Sequence, residues 1–277
     1  MRPLNLAFFV GEFPKISETF IVNQIVGMID RGHEVTVYGE PASTTALLHP
    51  IVRQYQNRWK IRSRPAIPES RAIRSLGAVG LAVCHGWRNP GLLARSLRFR
   101  KYGRCSASLK LLYSAMPFLG NPARHDVVSC HFADYGLLAI ALRRMGAIKG
   151  KITTTFHGTD ISFYLEKAGP AAYLPLFQRG DLFLPVSEYW RGKLMSLGCP
   201  KEKVAVHHMG VDRALFPFRD RGADQRHPVR LVSVGRLVEK KGLCYSIKAA
   251  AQLAKTHPRI HYEIVGDGPL RGELSAL

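Results

Sequence analysis

The chain has 277 residues, enough for two domains of ordinary size, and 46% of them are hydrophobic, which suffices for proper cores. Forty Lys and Arg against twenty Asp and Glu leave a formal charge of +20, which predicts an anionic partner of some kind. No apolar run approaches the roughly 20 residues that span a bilayer, and the N-terminus shows no small-residue cleavage site, so a cytoplasmic protein is expected.

Taken in order, "LNLAFFV" reads as a buried first strand. "SETFIVNQIVGMIDRG" sets apolar residues 20, 21, 25, 28 and 29 at helical spacing, with Ser17 as N-cap and Gly32 as stop, and "HEVTVYG" is the next strand. This is a βαβ unit. Its first connection, "VGEFPKISET", is far more polar than a turn requires; loops leaving the carboxyl ends of strands form the ligand crevice of open α/β sheets. Helix capping accounts for Ser17 and Glu18, while Lys15 beside Gly11 suits an anion at a helix N-terminus.

Residues from about 45 to 120 read only as helix-rich. Between 51 and 124 stand fifteen basic residues and one acid, Glu69. Docking to anionic lipid headgroups and a merely solvated face of arginine-rich helices explain this equally well. A nucleic-acid surface is disfavoured, because no base-reading module is present.

Alternation then resumes: strand "HDVVSCH" (125–131), helix "YGLLAIALRRMG", strand "KITTTFHG" (151–158), a helix near 171–180, strand "DLFLPVS" (181–187), helix "EYWRGKLMSLG" and strand "KVAVHHMG". Strands separated by ten to fifteen helical residues predict a parallel sheet with helices on both faces. The polar stretch 211–228, with Pro217, Gly222 and Pro228, reads as a linker. The pattern restarts with strand "VRLVSVG", helix "LCYSIKAAAQLAKTH", strand "IHYEIVG" and the helix start "PLRGELSAL". The expected domains are thus 1–212 with the basic insert, a linker at 213–228, and 229–277.

Chemistry gathers at strand ends. His131 in "CHFADYG" and His157 in "TFHGTD" would bring two imidazoles to the rim of one crevice, with Asp160 close by, where histidine can hold or relay a proton. A lone histidine is more often structural; two at strand ends shift the balance towards function. In "VGRLVEKKG", Arg236 and Lys241 flank a turn at a helix start, a pairing suited to a diphosphate. "VGDGP" is neither part of a Walker A loop nor of a GxGxxG fingerprint, and alone it is only a tight turn. The five cysteines (84, 105, 130, 199, 244) show no CxxC and read as reduced, mostly structural thiols.

In order and spacing, "FPKISETFIVNQI", "RGHEVTVYG", "HFADYG", "TFHGTD", "PVSEYWRGKLMSLGCPKEKVAVHHMGVD" and "VGRLVEKKG...IVGDGPLRGEL" resemble the retaining glycosyltransferases of family 4, of the exopolysaccharide type that serves colanic acid and amylovoran synthesis. The resemblance implies an α/β fold of the GT-B type, with an N-terminal Rossmann-like doubly wound parallel sheet and a second, incomplete Rossmann-like domain. It implies a nucleotide-diphosphate sugar donor, a lipid-linked or polysaccharide acceptor, and no bound cofactor or metal. His131 would lie beside the transferred sugar as the catalytic residue, and Glu18, Thr19, His157 and Asp160 would line the acceptor side. Arg236 and Lys241 would bind the donor diphosphate, while Gly266 and Gly268 would border the nucleoside pocket. The family's paired glutamates, E-x7-E, have no counterpart here, since no two glutamates stand eight apart. The expectation is therefore a truncated member, peripheral on the inner face of the plasma membrane. It is either a transferase that needs the missing part or a non-catalytic remnant that keeps acceptor, membrane or partner binding.

Overall fold

Strand β1 (Asn5–Phe13) is apolar on both sides because it feeds two cores. In a strand successive side chains alternate in direction. Leu6, Phe8 and Val10 join Ile21, Ile25 and Ile29 of helix α1 (Thr19–Asp30), while Ala7 and Phe9 join the larger core on the opposite face. Phe8 and Ile25 are fully buried, each burial contributing about 1.5–3 kcal/mol. A computed structural model describes residues 2–42, 50–214, 216–218 and 229–277. The chain divides into two units, Met1–Gly210 and Val211–Leu277.

The first unit continues with β2 (Glu34–Pro41), α2 (Pro50–Tyr55) and β3 (Lys60–Ser63). A helical stretch follows: α3 (Arg71–His85), α4 (Pro90–Ser96), α5 (Phe99–Tyr102), α6 (Arg104–Ala107) and α7 (Lys110–Ala115). The alternation then runs β4 (Ala123–His131), α8 (Ala133–Met145), β5 (Ile148–Phe156), α9 (Phe163–Ala168), α10 (Leu174–Arg179), β6 (Leu182–Pro185) and α11 (Glu188–Ser196). All six strands are parallel, in the order β3-β2-β1-β4-β5-β6. The order reverses between β1 and β4, and ligands of such sheets bind outside the carboxyl ends of the strands at that switch point.

Three sequence expectations need correction. Ser17 is not the cap of α1: it lies inside a 3₁₀ turn, Ile16–Glu18, closed by the Glu18 N–H donating to the Lys15 carbonyl at 3.0 Å, so the N-cap position falls to Glu18 without a side-chain bond. The strand expected at "KVAVHHMG" is reduced to a bridge between Val204 and Phe183. The N–H groups of Ala205 and His207 donate to Phe183 and Pro185, but Pro185 has no N–H with which to return a bond, and the ladder stops. The helix-rich region also contains an edge strand, β3, whose four residues are all exposed. Gly32, at φ +84°, does end α1 as expected. Most of the linker at 213–228 lies outside the described residues.

The second unit is a single βαβ element. Strands β7 (Val229–Val234) and β8 (Ile260–Val265) pair in parallel, α12 (Leu243–Ala254) connects them, and α13 (Arg271–Ser275) follows. Among its described residues only Leu237 and Leu243 are buried. The Tyr262 hydroxyl, 2.8 Å from both Ser233 Oγ and Ser246 Oγ, links the two strands to α12.

Candidate active site

His131 ends β4 and Thr155, beside it in register, nearly ends β5, so the next turn of the chain brings His157 alongside. The two imidazoles stack with centroids 5.2 Å apart, and His131 Nδ1 lies 3.0 Å from His157 Nε2. Phe8 stacks on the other face of His131, and Phe20, the second residue of α1, lies 5.9 Å from His131 and 4.7 Å from His157. His131 is consequently 1% exposed: it sits beneath the crevice and not on its rim, which corrects the sequence expectation. Burial, with smaller repulsion from His157 and His207, pushes its pKa down to about 3; burial pushes His157 down to about 4. Both are neutral at pH 7. One N–H is shared between them, and His131 Nε2 has no hydrogen-bond partner among the described residues. A buried orphan of this kind calls for an explanation.

Asp160 ties the two strand ends together. Its Oδ1 accepts the His157 N–H at 3.1 Å and its Oδ2 accepts the Ala133 N–H at 3.3 Å, while the Tyr173 hydroxyl donates to its carbonyl at 2.8 Å. At 7% exposure, burial raises its carboxyl to about 6 against the lowering effect of these backbone bonds. Between the tied residues Phe132 takes φ +71° and ψ 148°, a region that costs a side-chain-bearing residue about 1–3 kcal/mol. Its N–H donates to Thr155 at 2.9 Å and its ring lies 4.7 Å from His157. Strain is held here to aim one aromatic ring at the histidine pair.

Above lies a pocket of ≈ 440 Å³ at the switch point, lined by residues from the ends of β1, β2, β4 and β5. Five acidic residues line it, Glu12, Glu18, Glu40, Asp134 and Asp160, a quarter of the twenty acids in a chain that is otherwise strongly basic. Lys15 Nζ lies 3.0 Å from Glu18 Oε1, and Arg64 Nη2 lies 3.2 Å from Glu40 Oε1. Aromatic walls come from Phe132, Tyr135, Tyr164 and Tyr173, the last two stacked at 5.7 Å. Gly11 lets the Tyr135 hydroxyl lie close to β1: a Cβ there would stand 2.8 Å from it and the ring would have to shift.

The structure thus places Glu18 and Asp160 in the pocket and His131 and His157 together below it, whereas Thr19 is exposed and not among the lining residues. Glu40, Tyr135 and Tyr173 were not singled out from the sequence. Asp134 and Tyr135 stand in the quoted "CHFADYG"; Glu40 becomes visible only when β2 is known to lie beside β1.

In the second unit the loops after β7 and β8 are laced together. Gly235 N–H donates to Val265 at 3.0 Å, Leu237 N–H to Asp267 at 2.9 Å, and Leu270 N–H back to Leu237 at 3.2 Å. Gly266 and Gly268 permit this closeness: a Cβ at Gly266 would collide with the Gly235 carbonyl, and one at Gly268 would meet the Leu237 backbone at 2.5 Å. Arg236 is exposed in the first loop; Lys241 is exposed in the turn before α12, its side chain against Gly235. Lys241 therefore stands just before the N-terminus of a twelve-residue helix, where free N–H groups and the dipole favour an anion, and Arg236 is in the loop that leads to it.

A six-stranded parallel sheet of this order, with a polar pocket at its switch point and a second parallel βαβ unit carrying glycine-rich loops, is an α/β architecture of the GT-B type. It aligns over 98% of its length with Anabaena HepE crystallised with UDP and glucose, at 14% identity and a TM-score of 0.57, covering 63% of that chain. It aligns likewise with the lipopolysaccharide outer core galactosyltransferase WaaB, at 16% identity and a TM-score of 0.53, covering 63% of that chain. Residues 17–215 match the Glycosyltransferase Family 4 domain and residues 218–277 the Glycosyl transferases group 1 domain. The chain belongs to glycosyltransferase family 4. It is 38% identical over 99% of its length to a protein of Salmonella typhimurium named for colanic acid biosynthesis, the glycosyltransferase WcaL, and 32% identical over 98% of its length to the amylovoran biosynthesis glycosyltransferase AmsK of Erwinia amylovora. It spans about two thirds of each, 67% and 66%.

Proposed function

We propose that this chain transfers a hexose, with retention, from a nucleotide-diphosphate sugar to a lipid-linked or polysaccharide acceptor in exopolysaccharide synthesis. The observation that carries the reading is the pocket at the switch point. Carboxylates accept hydrogen bonds from sugar hydroxyls, aromatic rings cover sugar faces, and the pocket combines five of the first with four of the second in a basic chain. Glu18 and Asp160 lie on the acceptor side of this reading. The relatives named for colanic acid and amylovoran biosynthesis support the polysaccharide context.

His131 acts as a neutral hydrogen-bonding group, because an imidazole displaced to about 3 carries no proton to donate as imidazolium at neutral pH. In this reading it stands beneath the transferred sugar, with its Nε2 buried and unpartnered among the described residues, while its Nδ1 shares a hydrogen bond with His157, whose backbone N–H Asp160 holds. Arg236 and Lys241 take the charge of the leaving diphosphate, with Gly266 and Gly268 bordering the nucleoside. Thr19, exposed beside the pocket, is the weakest member of the assigned set.

Titration of the purified chain with UDP and GDP, comparing wild type with Arg236→Ala and Lys241→Ala, tests the donor assignment. Each substitution should weaken binding about tenfold or more, the loss expected for a charge-assisted hydrogen bond. Equal affinity across the three proteins refutes it.

A further inference from the structure

Helix α3 presents the wrong face to the protein for an ordinary surface helix. Its inward side carries one large apolar residue, Leu81, among small or polar-stemmed ones: Ala78 is buried against Leu112 and Tyr113, and a Cβ on Gly77 would collide with the Tyr113 hydroxyl. Arg74 is also used inward, donating to the carbonyls of Pro68, Glu69 and Ser108 at 2.8–3.1 Å. Its other large apolar residues point outward instead. Leu76 is 75% exposed, Val83 73% and the following Trp87 73%, and Ile73 and Val79 are exposed as well. At helical spacing these form one continuous stripe along a fifteen-residue helix. Single exposed hydrophobics need no explanation, but a contiguous outward stripe does.

The charge around the stripe selects its partner. Arg71 opens the helix and Arg88 follows it, its guanidinium 5.6 Å from the Trp87 ring. Arg98, Arg100 and Lys101 are exposed just beyond, and Glu69 is the only acid between residues 51 and 124. A second copy of this chain would bring like charges together around any apolar contact. We infer that α3 and Trp87 form a membrane-docking element that lies in the interface of an anionic bilayer, with Ile73, Leu76, Val79, Val83 and Trp87 entering the acyl boundary and the flanking arginines on the headgroup phosphates. Apolar burial and attraction to anionic lipid act together in such helices, and aromatic side chains favour that depth. The inference is independent of donor and acceptor assignments: a chain that transfers no sugar would still bind.

The test is co-sedimentation of the whole chain with vesicles of equimolar phosphatidylglycerol and phosphatidylcholine, against vesicles of phosphatidylcholine alone. Wild type should bind the anionic vesicles and lose binding as salt is raised. Leu76→Ser combined with Val83→Ser removes exposed side chains, so its circular dichroism and melting should match wild type while vesicle binding falls about tenfold or more. Arg71→Gln and Arg88→Gln should each weaken binding about fivefold. Absence of vesicle binding at low salt, or binding unchanged in the double serine variant, overturns the proposal. Concentration-dependent dimerisation that the serine variant abolishes, without vesicle binding, would assign the stripe to a second copy and overturn it equally.

Discussion

The histidine pair makes the first unit sensitive to acid. An unfolded chain protonates His131 and His157 at their ordinary value of 6.5, whereas the folded chain resists until about 3 and about 4. The stability these groups supply is therefore complete above pH 6.5 and lost as pH falls below it towards the folded values. From pH 7 to pH 5 the loss is 1.5 pKa units for His131, or about 2 kcal/mol at 1.36 kcal/mol per unit. His157, less fully buried, loses somewhat less through solvent screening. Asp160 acts in the opposite sense: its carboxyl is raised from 3.8 to about 6, so it regains about 1.4 kcal/mol between pH 6 and pH 5. The net expectation is a loss of about 2–3 kcal/mol. All three tryptophans, at 59, 87 and 190, lie in the first unit, so urea denaturation followed by their fluorescence reports that unit. His131→Gln should remove about 2 kcal/mol of the pH dependence, whatever it does to stability at pH 7. Equal stability at pH 7 and pH 5, or an unchanged slope in the variant, would refute the argument.

Phe132 and Gly136 test the same corner of the fold. Phe132→Gly and Phe132→Ala both lose the ring against His157, but glycine adopts φ +71° freely, so the glycine variant should be the more stable by about 1–3 kcal/mol in urea denaturation. Equal stability would mean that the backbone is not strained there. A Cβ on Gly136 would press on Thr154 Oγ1 at 2.5 Å and on Leu176 Cδ1 at 3.0 Å, so Gly136→Ala should cost about 1–3 kcal/mol in the same measurement. A neutral result there would show that α8 can move away from β5.

Much of the sheet was legible because each buried strand carries its own signature. "LNLAFF" feeds both cores with apolar residues, and "HDVVSC" sends Val127 to one and Val128 and Cys130 to the other, as a strand between two helical layers does. β3 was not legible, because "KIRS" sits on an edge with every side chain exposed and needs no apolar pattern. The last strand of the first unit was over-read for a backbone reason: Pro185 cannot return the hydrogen bond, and no hydropathy pattern encodes that. At the site, His131 and His157 could be named from their positions after strands, but their stacking depends on β4 and β5 being neighbours, a property of topology. Their depth was misjudged because Phe20, which covers them, comes from the start of α1 and belongs to another stretch of sequence. The acidic pocket was hidden for a related reason, since its five acidic residues come from four separate segments of the chain. α3 shows the reverse case: an apolar helical period identifies a helix but not which way its apolar face turns.

The lacing of the two loops in the second unit bears on the entropy of binding. Gly235 and Leu237, the residues on either side of Arg236, are both pinned by backbone hydrogen bonds to the opposite loop, and the Lys241 N–H is held by the Val238 carbonyl. The two cations are thus long, mobile side chains rooted in backbone already fixed before any ligand arrives. Closing on an anion would require ordering only their rotamers, about 0.5–1.5 kcal/mol for each side chain, with no loop to fold at the same time. A single backbone change at Gly266 or Gly268 would undo that economy, loosening a grip whose charged groups it never touches.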